Sequence, residues 1–197
     1  MPINKLRATP RARALIASIV AASVAGYVAI FPGQSKVHDD VALAIKVAAP
    51  WEGRQLVAYL DTLPKPPRWT LCDGDTDDVK PYQRATPAEC DARIAKKMEA
   101  RYRPVLVECP NIPSWNSRPL AWRGMMLSLA WNIGAQGACT STAAKLGGKG
   151  QYVESCNAAT AFNKSGGRMY IGLTKRREMG DATRIGEGEL CVSGLPQ

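Results

Sequence analysis

Histidine is almost absent. The 197-residue chain has one, His38, beside six cysteines, and no two cysteines stand as Cys-x-x-Cys. A zinc site normally shows closer ligands and more imidazole, so no metal and no cofactor are expected. Zinc-finger, RNA-recognition and helix-turn-helix patterns are also missing, which argues against nucleic acid as the partner. The basic balance, 26 Lys+Arg against 17 Asp+Glu and a formal net charge of +9, then suits an anionic membrane surface or an acidic polymer.

Cysteine is missing from the first 71 residues. Cys72, Cys90, Cys109, Cys139, Cys156 and Cys191 all lie behind them, in even number. That reads as disulfides in an oxidising compartment, with buried thiols in a reducing one as the alternative. Pairs between neighbouring elements give Cys72–Cys90 and Cys139–Cys156, which leaves Cys109–Cys191.

Acids are missing from residues 1–13, which carry Lys5, Arg7, Arg11 and Arg13, and residues 14–31, ALIASIVAASVAGYVAIF, hold no charge at all. That stretch is just long enough to span a bilayer, and its basic flank predicts a cytoplasmic N-terminus. Half of it is Ala, Ser or Gly, so its hold on lipid is weak. Three fates are open: a signal peptide cut after Ser23-Val24-Ala25, a stable anchor, or an anchor that leaves the membrane. Residues 1–33 are therefore expected to be a weak membrane segment and residues 34–40 a polar linker with His38 exposed. The folded domain is expected over 41–197.

The stretch PWEGRQLVAYLDTLPKPPRWTLCDGDT, residues 50–76, is the chemically distinctive one. Pro64, Pro66 and Pro67 cannot lie in a helix or a central strand. Residues 56–61 and 68–72 then predict a hairpin with a long proline-stiffened turn. Glu52 precedes it, Asp61 follows nine positions later, and Thr70 sits in the second strand. Two carboxylates across a cleft are what glycosidic cleavage requires. One protonates the leaving oxygen and the other handles water or the developing positive charge. Trp51 and Tyr59 offer the apolar surroundings that raise a glutamate pKa.

Glu52-Gly53, Ala58-Tyr59-x-Asp61 and Trp69-Thr70-Leu71-x-x-Gly74 resemble the active-site hairpin of phage-type lysozymes, the endolysins of glycoside hydrolase family 24. The Glu-to-Asp spacing is kept. Thr70 comes three residues late, and Gly74 is followed by Asp75 where many members have histidine, so Thr76 is a rival for the threonine. Trp131-Asn132-Ile133-Gly134 is similar to the family's turn after its central helix. Gly166-Gly167-Arg168 and Gly172-Leu173-x-x-Arg176-Arg177-Glu178 are similar to its C-terminal run. The basic start and weak span resemble the signal-anchor-release subgroup.

Elsewhere the pattern predicts helices. One covers 41–49, with Asp39 or Asp40 as N-cap. Another starts at the Thr86/Glu89 capping box with Pro87 at its first position and stops near Tyr102 before Pro104. Residues 105–117 read as irregular. Residues 118–132 are apolar on nearly every side and predict a buried helix with Met125, Met126, Leu127, Leu129 and Trp131 in the core. Shorter helices are expected from Ser141 to Leu146 and over 151–163.

The resemblance implies a mainly helical α+β, lysozyme-like two-lobed domain with a small β-hairpin lobe, behind an N-terminal membrane helix. It implies a monomeric muramidase cutting the β-1,4 bond between N-acetylmuramic acid and N-acetylglucosamine in peptidoglycan, for host lysis. Such an enzyme would be tethered to the host inner membrane through residues 14–31, facing the periplasm, and then freed there. Glu52 would be the general acid, Asp61 the water-directing carboxylate and Thr70 its assistant. Arg176 and Arg177 would bind the peptide stem or glycan, with an ion-paired helix face as the alternative. Two rival activities remain: an inactive cell-wall-binding protein of the same fold, and a lytic transglycosylase.

Overall fold

The computed structural model describes residues 2–29 and 36–195. The chain opens with an extended arm and a helix, α1 (Pro10–Ala22), capped by the Thr9 hydroxyl, which accepts from the Ala12 amide. A short strand, β1 (Tyr27–Val28), pairs antiparallel with β2 (Val37–His38), and α2 (Asp39–Ala48) follows directly. Helix α2 starts two residues earlier than expected. Asp39 and Asp40 therefore act from the first turn, and His38 at the N-cap makes no side-chain capping bond. His38 is not an exposed bystander. Its ring packs on Tyr27 and contacts the Glu99 carboxylate. Of the rest of the expected linker, residues 34–35 lie outside the described residues, while Val37 pairs in β2 and Asp39 and Asp40 open α2, so the folded part begins earlier than residue 41.

The hairpin forms where expected, as β3 (Gln55–Asp61) and β4 (Arg68–Cys72), with Tyr59 opposite Thr70 and Asp61 opposite Arg68. Helix α3 (Pro87–Lys97) carries the full Thr86/Glu89 capping box. It does not stop before Pro104. A π-turn over Met98–Tyr102 lets the Arg103 amide donate five residues back to the Met98 carbonyl, and α4 (Arg103–Val107) continues. Pro104 lacks an N–H, and the wider turn absorbs that loss at the helix junction.

The larger lobe is built around α5 (Leu120–Ile133), of which residues 121–130 are all buried. A helix apolar on every side has to be enclosed, and α2, α6 (Ala135–Thr140), α8 (Tyr152–Ala159) and α10 (Glu187–Ser193) enclose it. Helix α7 (Thr142–Gly148), capped by Ser141, packs on α8. It needs glycine at 147 because a Cβ there would lie 2.1 Å from the Trp122 ring. A small hairpin, β5 (Lys164–Ser165) and β6 (Arg168–Met169), leads into α9 (Ile171–Arg177).

The disulfides are Cys72–Cys90, Cys109–Cys139 and Cys156–Cys191. The first is the expected one. Cys139–Cys156 and Cys109–Cys191 do not form, because α6 packs back on α4 and α8 lies against α10.

Among the described residues, no helix is long and apolar enough to cross a membrane. Helix α1 has 13 residues, which is about 20 Å at 1.5 Å per residue and short of a hydrocarbon core of about 30 Å. It packs on α2 and α10, burying Ala12 and Ile19, while Val20 and Val24 stay exposed. The first turn of α1 and the arm ahead of it are tied down by hydrogen bonds to buried carboxylates. Arg11 Nε and Nη2 each donate to Glu189 at 2.7 Å, and the Thr9 hydroxyl adds a third bond. The Ile3 and Asn4 amides donate to Glu178.

Burial pushes the Glu189 carboxyl up, but the bonds from Arg11 and Thr9 outweigh it and hold the group below the usual glutamate range. A depressed folded-state pKa gives stability that is in place above the unfolded value and fades as pH falls through the folded one. Arg11→Gln should therefore lower the melting temperature by a few degrees at pH 7. Thermal melts from pH 7 down to pH 3 should show that difference shrinking; a difference constant with pH would contradict the assignment.

Candidate active site

Glu52 sits where three local features converge. The 3-10 turn Ala49–Trp51 ends at Glu52, whose amide donates to the Ala49 carbonyl at 3.2 Å. Trp51 fixes that turn: its indole N–H donates to the Ile185 carbonyl at 3.1 Å, and the Arg184 guanidinium lies 3.8 Å over its ring. Gly53 and Gly74 follow the turn and the hairpin with positive φ. At Gly74 a Cβ would stand 3.9 Å from Glu52 Oε2, an ordinary contact, so it is the left-handed backbone at φ +86° that calls for glycine.

Glu52 is half-buried, with 17% of its side chain exposed, and Arg176 Nη1 donates to its Oε1 at 2.5 Å. Burial raises its pKa above the ordinary glutamate value. Arg176 pulls the other way by charge and hydrogen bond, and the nearby Glu187 carboxylate adds to the rise. The net shift favours the protonated carboxyl relative to an exposed glutamate, which is the direction a general acid needs.

Asp61 closes β3 and is half-buried; its Oδ1 accepts from the Leu63 amide at 3.0 Å. Thr70 is buried in β4, its hydroxyl donating to the Arg68 carbonyl at 3.3 Å. The register puts Tyr59, Asp61, Arg68 and Thr70 on one face, since cross-strand partners and residues two apart share a face. Tyr59 links this face to Glu52: burial, then the charges of Asp61 and Glu52, raise the pKa of its phenol. Both acids therefore stand within electrostatic reach of one side chain. Thr76 lies beyond the strand, half-buried, in the turn after Asp75.

Arg176 and Arg177, expected at the substrate, are instead buried at 3% and 0% exposure. Arg176 bridges Glu52 and Glu187, with its Nε donating to Glu187 at 3.1 Å. Arg177 pairs with the other oxygen of Glu187 and also holds Asn132 and the Phe162 carbonyl. Glu187 itself is fully buried and takes a 2.6 Å bond from the Ser128 hydroxyl. Sequence reasoning missed this acid. The available signal was the pair Glu187 and Glu189 flanking Gly188, a short distance after the double arginine. Among the described residues, no group of three or more His, Cys, Asp or Glu side chains is arranged to hold a metal ion.

Residues 49–180, which contain Glu52, Asp61, Thr70, Arg176 and Arg177 but not Arg184, Ile185 or Glu187, match the family model for phage lysozyme. The SAR-endolysin of Enterobacteria phage P21 is 30% identical over 144 residues, covering 73% of this chain and 78% of that protein. The active form of the P1 phage endolysin Lyz superposes with a TM-score of 0.61 at 21% identity, over 96% of this chain and 98% of that one. The muramidase domain of SpmX from Asticaccaulis excentricus gives 0.59 at 19% identity, over 80% and 95%.

Trp51→Ala removes both the indole bond and the stacking that seat the turn beneath Glu52. Cell-wall turbidity assays should show a loss in kcat/KM of about tenfold or more, in protein that still melts cooperatively. Unchanged activity would show that the turn does not position Glu52.

Proposed function

Because this chain belongs to the phage lysozyme family, we propose that Glu52 is the acid with which it cleaves peptidoglycan. The protein is an endolysin of the muramidase type. It hydrolyses β-1,4 bonds between N-acetylmuramic acid and N-acetylglucosamine and serves host cell lysis. In the proposed mechanism Glu52 protonates the glycosidic oxygen as the bond to the anomeric carbon breaks. Asp61 directs a water to that carbon and takes its proton, and Thr70 orients the water. The observation that carries the assignment is the placement of Glu52, half-buried at the end of the Ala49–Trp51 turn with Arg176 Nη1 on its carboxylate, and the upward direction of its pKa agrees with it.

Glu52→Gln keeps the shape and removes the transferable proton. It should lower cell-wall clearing by about a thousandfold or more, on the scale of losing a general acid together with its charge, with the fold intact by circular dichroism. Products of the wild type should carry reducing ends. Anhydro-sugar ends would identify a transglycosylase, and full activity in the glutamine variant would remove Glu52 from the mechanism.

We infer further that residues 1–33 form a signal-anchor segment that holds the enzyme, as a monomer, at the inner membrane facing the periplasm and later leaves it. The linker is shorter than residues 34–40, because Val37 and His38 pair in β2 and Asp39 and Asp40 open α2, and the lysozyme domain runs on from there. The name SAR-endolysin carried by the relatives supports this, as does the weak, Ala-rich character of residues 14–31. In the tethered state Arg11 is on the cytoplasmic side of the bilayer and cannot reach Glu189. The docked α1, with Arg11 on Glu189, fits the freed state. Proteoliposomes carrying a membrane potential should retain the protein and release it to the supernatant on depolarisation. Retention after depolarisation would refute release.

A further inference from the structure

We propose that Glu187 is a positioning residue for the reaction: by sharing Arg176 with Glu52, it keeps Glu52 able to serve as a proton donor. The proposal rests on the reading of Glu52 as the general acid. A carboxylate paired with a buried arginine is normally held ionised, because the opposite charge favours the charged form. A lone Arg176–Glu52 pair would therefore disarm the acid. The geometry avoids this. Arg176 gives Nη1 to Glu52 and Nε to Glu187, and its Nη2 has no hydrogen-bond partner. Arg177, next along α9, is also directed at Glu187, and Ser128 from α5 fixes the same carboxylate.

The charges make the argument quantitative in sign. Two guanidinium groups face two carboxylates. With Glu187 ionised, the cluster carries one net positive charge when Glu52 is protonated and none when it is not. Without Glu187 the same states carry two and one, so loss of the Glu52 proton relieves more repulsion. Arg177 from α9 is already in that count, and the remaining titratable group that bears on Glu52 is Tyr59 from β3. Neither can replace a carboxylate on Arg176.

Glu187, held directly by Ser128, Arg176 and Arg177, also has neighbours that meet the N-terminal segment. It is the first residue of α10, whose Gly188 is covered by Leu6 and whose Glu189 is held by Arg11 and Thr9. Docking of the arm thus steadies the residue that tunes the catalytic acid.

The test is the alkaline limb of kcat/KM against pH on cell-wall substrate, which reports the proton on the free enzyme's acid. Glu187→Gln should move that limb toward acid by about one pH unit, a typical effect of a close charge, with KM little changed. Glu187→Asp keeps the charge at a shorter reach and should fall between the two. If the glutamine variant does not fold, the aspartate variant decides by the direction of its limb. A limb that stays put in folded variants overturns the proposal. Glu52→Gln run alongside separates the two readings: if it stays active, the assignment of Glu52 has failed; if it is dead while the limb is unmoved, only the role of Glu187 has.

Discussion

The structure turns on one buried arginine divided between two acids. Arg176 is 3% exposed and contacts Glu52 on the active-site side and Glu187 on the core side. Burial opposes its charge, and the two carboxylates more than restore it. Buried ion pairs contribute little net stability, because desolvation offsets the attraction, but removing one partner costs about 3–5 kcal/mol. The cluster therefore acts as a constraint: once α9, α10 and the Glu52 turn have come together, none can move without stranding a charge.

The rest of the molecule makes that arrangement rigid. Helix α5 supplies a fully enclosed apolar axis, and α10 lies against it, placing Ser128 under Glu187. Cys156–Cys191 ties α10 to α8 near the same point. On the other side Cys72–Cys90 pins the hairpin to α3, which fixes the strand carrying Thr70. A second buried acid, Asp40, does for the larger lobe what Glu187 does for the site: it takes bonds from Arg103, Arg123 and Trp115. The side chains proposed for catalysis thus stand on two separately braced parts of the fold, with Glu52 between them.

Some of this was legible from residues alone, and the reason is locality. Three prolines between two strand-like runs dictate a long turn whatever surrounds them, and Thr86 with Glu89 writes a helix start by itself. The all-apolar run at α5 can only be interior. The Glu52–Asp61 spacing was visible for the same reason. What stayed hidden depends on distant packing. Cys109 and Cys139 pair because α6 returns to α4, which nothing near either cysteine announces. Glu187 and Asp40 are acids, and acids are read as solvated unless their arginine partners are known. The double arginine left substrate binding and an ion-paired helix face both open, because the carboxylates that bury it lie on other elements. The apolar N-terminal stretch carries two compatible meanings, a bilayer span or a docked helix, and only Arg11 meeting Glu189 shows the second.

The account stands or falls on the protonation of Glu52 in the folded enzyme, since burial and Arg176 pull it in opposite directions. The most direct measurement is a carbon-13 NMR titration of the Glu52 side-chain carboxyl, assigned by its loss in Glu52→Gln. The account predicts a midpoint above that of an ordinary exposed glutamate. A midpoint at or below that value would mean that Arg176 wins outright, and that Glu52 is held ionised and cannot be the acid.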